Sequence, residues 1–248
     1  MARSFLIRGM LCGIVGGILV FLFARFFGEP NVDGAIAVEE QLAKAAGEVE
    51  GPELVSRAVQ ASWGLLTGTM LFSIAMGGLF SLIFAFAWGR VGRLGPRATA
   101  ALIAGSSFVA VYLVPNLKYP ANPPSVGNPE TIGYRTALYF GMIVISIAAM
   151  IAAFNLGKSL LGRLDRWHAT IAGGTVYLVV IVIAFIVMPN INEVPEAFPA
   201  ALLWQFRIAA LGMQVILWTT LGLLFGELTE RALKRPQKAA LKAAAGVR

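Results

Sequence analysis

Six long apolar segments constrain this chain more strongly than any other feature of its sequence. Each is close to the roughly 20 residues that an α-helix needs to cross the hydrocarbon core of a bilayer. Only 13% of the residues are charged, against roughly 25% in soluble domains. The sequence therefore predicts an all-α, polytopic membrane protein with six transmembrane helices. The predicted spans lie at about residues 5–27, 63–88, 98–115, 136–157, 169–188 and 200–226.

The six predicted helices are expected to form three hairpins whose external loops enclose a vestibule. A Pro-Asn pair stands at the predicted outer end of every odd-numbered helix. Because proline removes a backbone donor, we expect each pair to end its helix. The six-helix membrane domain is assigned to residues 1–235, and a disordered basic cytoplasmic tail to residues 236–248. The three pairs are Pro30-Asn31, Pro115-Asn116 and Pro189-Asn190.

The distribution of basic residues predicts the orientation. Most of the 20 Lys and Arg residues fall in the connections after helices 2 and 4 and near the two ends of the chain. The positive-inside rule then places the N- and C-termini in the cytoplasm of a multi-pass inner (plasma) membrane protein. The formal net charge of +7 is explained by this topology and by attraction to anionic membrane lipid, so no nucleic acid partner is expected.

Glycines spaced four residues apart predict close helix packing. Such pairs leave a smooth strip on one helix face, which lets a second helix approach. The first helix carries the longest strip, and shorter ones recur on the second and sixth helices. The residues are Gly9, Gly13 and Gly17, then Gly64 with Gly68, and Gly222 with Gly226.

The first predicted external loop, residues 28–62, is rich in acids. Asp33 can cap a short helix that runs to about Ala46. Carboxylate oxygens are good ligands for hard divalent cations, so one interpretation is a surface that collects such cations. The other interpretation is an ordinary solvated loop. The candidate metal ligands are Glu29, Asp33, Glu39 and Glu40.

The stretch from Tyr112 to Arg135 contains five of the 12 prolines of the chain. Proline restricts the backbone, so this polar connection is expected to be a stiff lid or plug. The polar side chains that it would hold in defined places are Lys118, Tyr119, Asn122, Asn128 and Arg135.

The sixth predicted helix carries polar residues inside an apolar span. Arg207 and Gln214 lie on one helical stripe with Trp204, Leu211 and Trp218. Polar groups within a span are costly and usually face the interior of the bundle, which makes this stripe a candidate functional site. The alternative is a structural arginine paired with a carboxylate such as Glu193, Glu196 or Glu29.

The sequence gives little support for catalysis, although a metal-independent activity that uses Tyr119 or Lys118 stays open. It contains no HExxH, P-loop or GxSxG motif. Cys12 is expected to be a small packing residue within the first helix. His168, beside Trp167, is expected to be an interfacial anchor. We therefore expect a protein that is not an enzyme.

Three blocks of the sequence resemble the signature regions of CbtA, a family of predicted cobalt transporter subunits. They are RFFGEPNVDGAIAVEEQ (25–41), VPNLKYPANPPSVGNPETIGYRT (114–136) and EAFPAALLWQFRIAALGMQ (196–214). The resemblance implies a subunit for Co²⁺ transport that acts with a small histidine-bearing partner of one membrane span, and it implies no permanently bound cofactor. The vestibule residues expected from the blocks and the helix-6 stripe are Arg25, Glu29, Asp33, Glu39, Lys118, Tyr119, Asn122, Arg135, Trp204, Arg207 and Gln214.

The basic residues of these blocks leave a second function open. Arg25, Lys118, Arg135 and Arg207 could bind an anionic ligand, because arginine recognises carboxylates and phosphates with paired donors. They could equally be neutralised within the chain, as in a pair between Arg25 and Glu29. The alternative to cobalt uptake is thus a scaffold or accessory membrane protein that binds an anionic ligand or a protein partner at its external face.

Overall fold

The computed structural model describes residues 2–47, 55–90, 92, 94–124 and 126–245, with all of their side chains except those of 46 and 235–245. These residues form helices, turns and loops, and none of them is in a β-strand. Six helices are long and apolar enough to cross a membrane, which confirms the predicted class and helix count. They are α1 (Ala2–Ala45), α2 (Arg57–Ala87), α3 (Pro96–Lys118), α4 (Pro129–Leu160), α5 (Arg166–Val187) and α6 (Ala200–Lys234).

Two of the predicted helix ends are wrong, because α1 and α3 continue past their Pro-Asn pairs. A π-helical turn, Ala24–Gly28, precedes Pro30 in α1, and a second one, Phe108–Leu113, precedes Pro115 in α3. Proline cannot donate to the carbonyl four residues earlier, and a wider turn accommodates that loss without ending the helix. Only α5 ends, at Val187, just before its Pro-Asn pair. Asp33 accordingly lies inside the helical segment Glu29–Ala46 and does not cap its start.

The described residues fall into two compact units. Unit 1 contains the described residues of the ranges 1–29, 51–105 and 212–248, and unit 2 contains those of the ranges 30–50 and 106–211. The core of unit 1 contains buried aromatic rings from three helices. Phe84 and Phe225 meet edge to face with ring centroids 5.0 Å apart, and Phe5 lies 5.5 Å from Phe84.

Close contact between α1 and α2 in unit 1 depends on glycine. A Cβ on Gly9 would overlap the carbonyl oxygen of Gly77, and a Cβ on Gly13 would overlap that of Ser73. The glycine strip predicted on the first helix is therefore confirmed as a packing surface. Gly222 and Gly226 of α6 likewise lie against the first turns of α3.

The predicted pair Gly64 and Gly68 does not form such a surface. Among the described residues, an added Cβ on Gly68 would have no atom within 4 Å, and one on Gly64 would meet only the carbonyl of Val59 in its own helix. Spacing alone thus identifies glycines that can support close packing, and the neighbouring helix decides which of them do.

Unit 2 is built on the contact of α4 with α5. Met142, Ala149, Tyr177 and Ile181 are buried there, and the Ser146 hydroxyl lies 2.8 Å from that of Tyr177. Because α4 packs against both α3 and α5, the division into three separate hairpins is not confirmed. A second cluster joins Ala35, Val126 and Phe198, from three segments far apart in sequence.

The last helix is longer than the sequence predicts. Its backbone is helical from Ala200 to Ala245, so residues 236–245, for which the sequence predicts a disordered tail, continue the helix. Residues 246–248 lie outside the described part of the chain.

Candidate functional site

A cavity of about 620 Å³ lies within unit 2. Four segments line it: residues 119–122 of the proline-rich loop, 132–139 at the start of α4, 191–194 after α5, and the first turns of α6. We call this space the unit 2 cavity. Its polar lining includes Asn122, Arg135, Tyr139, Glu193 and Arg207.

The proline-rich loop is fixed to the end of α5 by hydrogen bonds. The Lys118 ammonium donates to the Phe185 carbonyl at 2.7 Å and to Asn190 Oδ1 at 2.5 Å. The Tyr119 hydroxyl donates to the Pro189 carbonyl at 2.8 Å. Lys118 therefore positions one wall of the cavity and is not part of its lining, although the sequence predicts it as a vestibule residue.

Arg207 connects α6 to the tip of the same loop. Its Nε donates to the Ala121 carbonyl at 3.2 Å, and its Nη2 donates to Asn122 Oδ1 at 2.9 Å. Both acceptors are neutral. Among the described residues of unit 2 Arg207 forms no ion pair, so the alternative pairing with Glu193 or Glu196 is not formed there. Glu193 pairs with Arg135, and Glu29 pairs with Arg57.

Glu193 holds the start of α4 against the loop that follows α5. Its carboxylate lies 3.2 Å from Arg135 Nε and accepts hydrogen bonds from the Thr131 hydroxyl and the Asn128 backbone amide, both at 2.7 Å. Gly127 stands beside the Arg135 guanidinium with a φ of 118°, and a Cβ there would overlap that group. Glycine is thus favoured here by its conformation, because other residues rarely adopt this φ, and a Cβ would also displace the Arg135 guanidinium.

The hydrogen bonds to Glu193 favour its ionised form. The Thr131 hydroxyl contributes most, followed by the Asn128 amide and then the charge of Arg135, and together they lower the pKa of Glu193 below its ordinary value. From the sequence, Glu193 was predicted only as an alternative partner for Arg207. The only sequence signal for its role was its place in the second proline-containing connection.

Lowering the pH is expected to weaken this junction. Because the folded-state pKa of Glu193 lies below the ordinary 4.5, its stabilisation is complete above about pH 4.5 and is lost as the pH falls through the folded pKa. Thermal unfolding of the detergent-solubilised protein between pH 7 and pH 3 measures this. We expect Glu193→Gln to lower the midpoint at pH 7, and this deficit relative to the wild type to shrink below about pH 4.5.

Glu196→Gln is the matched control, because Glu196 lies on the same connection and is exposed. A deficit for Glu193→Gln that stays constant from pH 7 to pH 3 would contradict the role given to the ionised carboxylate.

The acids of the first block do not assemble as predicted. Glu29 is buried and pairs with Arg57, and the predicted pair between Arg25 and Glu29 is not formed. Asp33, Glu39 and Glu40 are exposed. Within the described ranges no three His, Cys, Asp or Glu residues are close enough to hold a metal ion, so the structure does not bring the four predicted ligands together.

Four of the predicted vestibule residues meet at the unit 2 cavity: Tyr119, Asn122, Arg135 and Arg207. Trp204 is 65% exposed, although it is one turn from Arg207. Gln214 is half-buried within unit 1, and Arg25 is exposed on the π-helical turn of α1. Tyr139 and Asn192 also line the cavity and were not predicted from the sequence.

The comparison with protein families identifies a match. A family model described as "Probable cobalt transporter subunit (CbtA)" matches residues 2–230. Neither a curated protein nor a solved structure matches the chain.

Proposed function

Since the chain belongs to the CbtA family of probable cobalt transporter subunits, we propose that it carries Co²⁺ into the cell together with a partner protein. The observation that carries this proposal is the family match, which extends over residues 2–230 and so includes nearly all of the six helices able to cross a membrane. The word subunit in the family description implies a partner.

The proposed partner is a small membrane protein with one span and a histidine-bearing end. Imidazole is a better ligand for Co²⁺ than the groups that line the unit 2 cavity, where Arg135 and Arg207 add positive charge. The partner would therefore present cobalt, and this chain would provide the passage. Histidine ligands on the partner fit the donor preference of the ion.

The unit 2 cavity is proposed as the entry vestibule on the external face of the inner membrane, with both termini in the cytoplasm. Its walls come from connections that the positive-inside rule assigns to the external side. The hydrogen bonds of Lys118, Tyr119 and Arg207 support this role, because they hold the proline-rich loop in one position over the cavity.

Uptake of radioactive cobalt tests the proposal. A host cell that lacks its own high-affinity cobalt uptake would express the chain alone, the partner alone, or both. We expect accumulation above the empty-vector level only when both are present. Nickel and magnesium added in excess would show whether the ion is selected.

Absence of partner-dependent cobalt accumulation, at normal levels of both proteins in the membrane, would rule out the transport function. The alternative of an accessory or scaffold role would then be favoured, and co-purification of the chain with its partner would be the remaining property to measure. Membrane expression of each protein must be quantified so that poor insertion is not scored as lack of transport.

A further inference from the structure

Arg207 has unused binding capacity inside the unit 2 cavity. A guanidinium carries five N–H donors, and the described contacts use two of them, on the Ala121 carbonyl and on Asn122 Oδ1. The side chain is half-buried and lines the cavity. Three donors and a full positive charge therefore remain for a ligand.

The other charged groups of the cavity largely neutralise each other. Arg135 and Glu193 form an ion pair in which both side chains are about three-quarters or more buried, with exposed fractions of 24% and 20%. Arg207 has only neutral acceptors in the described part of the chain. The lining thus carries one uncompensated positive charge, and it is located at Arg207.

The rest of the lining favours an organic ligand over a simple inorganic anion. Ile132, Ile191 and Leu203 provide apolar surface, and Tyr119 and Asn192 add polar groups. A volume of about 620 Å³ lies in the range of roughly 300–1,000 Å³ that is typical of small-molecule sites. Phosphate would leave most of this space and all of the apolar wall without contact.

From these observations we propose that the unit 2 cavity binds a small organic carboxylate, with the carboxylate on the Arg207 guanidinium and the carbon chain against Ile132, Ile191 and Leu203. The planar fork of arginine matches a carboxylate with paired donors. The site rests on the cavity alone. A further role rests on the proposed function: carboxylates chelate Co²⁺, so an anionic cobalt chelate is a form in which the ion can enter a basic vestibule that repels the bare cation.

Binding to the purified full-length protein in detergent tests the site without any transport assay. Succinate is the probe, and succinamide, which has the same carbon chain without charge, is the matched neutral control. Isothermal titration calorimetry would compare the wild type with Arg207→Gln and with Arg163→Gln. Arg163 is an exposed arginine of unit 2, in the turn after α4 and outside the cavity. Inorganic phosphate and CoCl₂, each alone, complete the set of ligands.

We expect succinate to bind the wild type and Arg163→Gln equally, and Arg207→Gln at least about 10-fold more weakly, since a charge-assisted hydrogen bond is lost. Succinamide and CoCl₂ alone should not bind at the cavity. Absence of succinate binding up to about 10 mM, equal binding by Arg207→Gln, or equally tight binding of phosphate would each overturn the proposal. The succinate and succinamide comparison in the wild type keeps the test valid even if Arg207→Gln does not fold.

A final arm separates the carboxylate site from its role with cobalt. Citrate chelates Co²⁺ strongly, so titration with citrate and with cobalt citrate compares the free acid with the chelate. Binding of both supports delivery as a chelate, and binding of free citrate alone overturns that role while leaving the site intact. Because these measurements do not involve uptake, they remain informative if cobalt accumulation fails.

Discussion

Replacing Arg207 with alanine is expected to reduce cobalt uptake to the background level while the protein still inserts into the membrane. The substitution removes the uncompensated charge of the unit 2 cavity and both hydrogen bonds to the proline-rich loop. Hydrogen bonds to charged groups contribute about 1.5–3 kcal/mol each, so the initial rate should fall on the order of 100-fold. Rates of radioactive cobalt uptake, measured with the partner present and normalised to membrane protein, check this.

Two further variants identify the property of Arg207 that matters. Arg207→Lys keeps the charge but loses the planar fork, so it should recover part of the rate and no more. Arg163→Ala removes an exposed arginine outside the cavity and should transport normally. If Arg207→Ala fails to insert or assemble, its role is structural. Normal insertion with unchanged uptake would show that the unit 2 cavity is not the vestibule.

The class of fold could be predicted from the sequence because its signals are local. A run of about 20 apolar residues is sufficient to identify a span, whichever helix it contacts. The positions of Gly9 and Gly13, which have no side chain, are also known from the sequence alone, and the structure packs both glycines against α2. Gly68 has the same local pattern and no such contact, so even here the partner helix could not be predicted.

The ion pairs of Glu29 and Glu193 were harder to predict, because each glutamate pairs with an arginine that is distant in sequence. Arg25 and Glu29 would be neighbours on a regular α-helix, where residues four apart share a face. The π-helical turn at Ala24–Gly28 widens the helix between them. Glu29 instead pairs with Arg57, 28 residues away. Similarly, the Glu193 partner is Arg135 on α4.

The candidate site was predicted in part. The stiffness of the proline-rich loop predicted defined places for Tyr119, Asn122 and Arg135, and all three line the unit 2 cavity in the structure. The cost of an arginine within a span singled out Arg207. The helical stripe was less informative. Residues three apart are about 60° apart around a helix, which is sufficient for Arg207 to line the cavity while Trp204 is 65% exposed.

Replacing Gly77 with leucine is expected to prevent α1 and α2 from packing. A Cβ on Gly77 would overlap the backbone carbonyl of Gly9, and a Cβ on Gly9 would overlap that of Gly77. Backbone atoms cannot rotate away as a side chain can, so the two helices must separate over several turns. Overpacking costs about 1–3 kcal/mol or more, and we expect the thermal midpoint in detergent to fall by roughly 10 °C, with a loss of monodisperse protein in gel filtration.

Gly68→Leu is the matched control, because it adds the same side chain to the same helix at a position with no atom within 4 Å of an added Cβ. Alanine substitutions at the two positions make a sharper comparison. In a helix interior alanine is favoured over glycine by about 1 kcal/mol, so Gly68→Ala should be neutral or stabilising. Gly77→Ala gains the same propensity but meets the Gly9 carbonyl, and should destabilise. A neutral or stabilising effect at both positions would contradict the close contact of α1 with α2, because intrinsic helix propensity would then account for both.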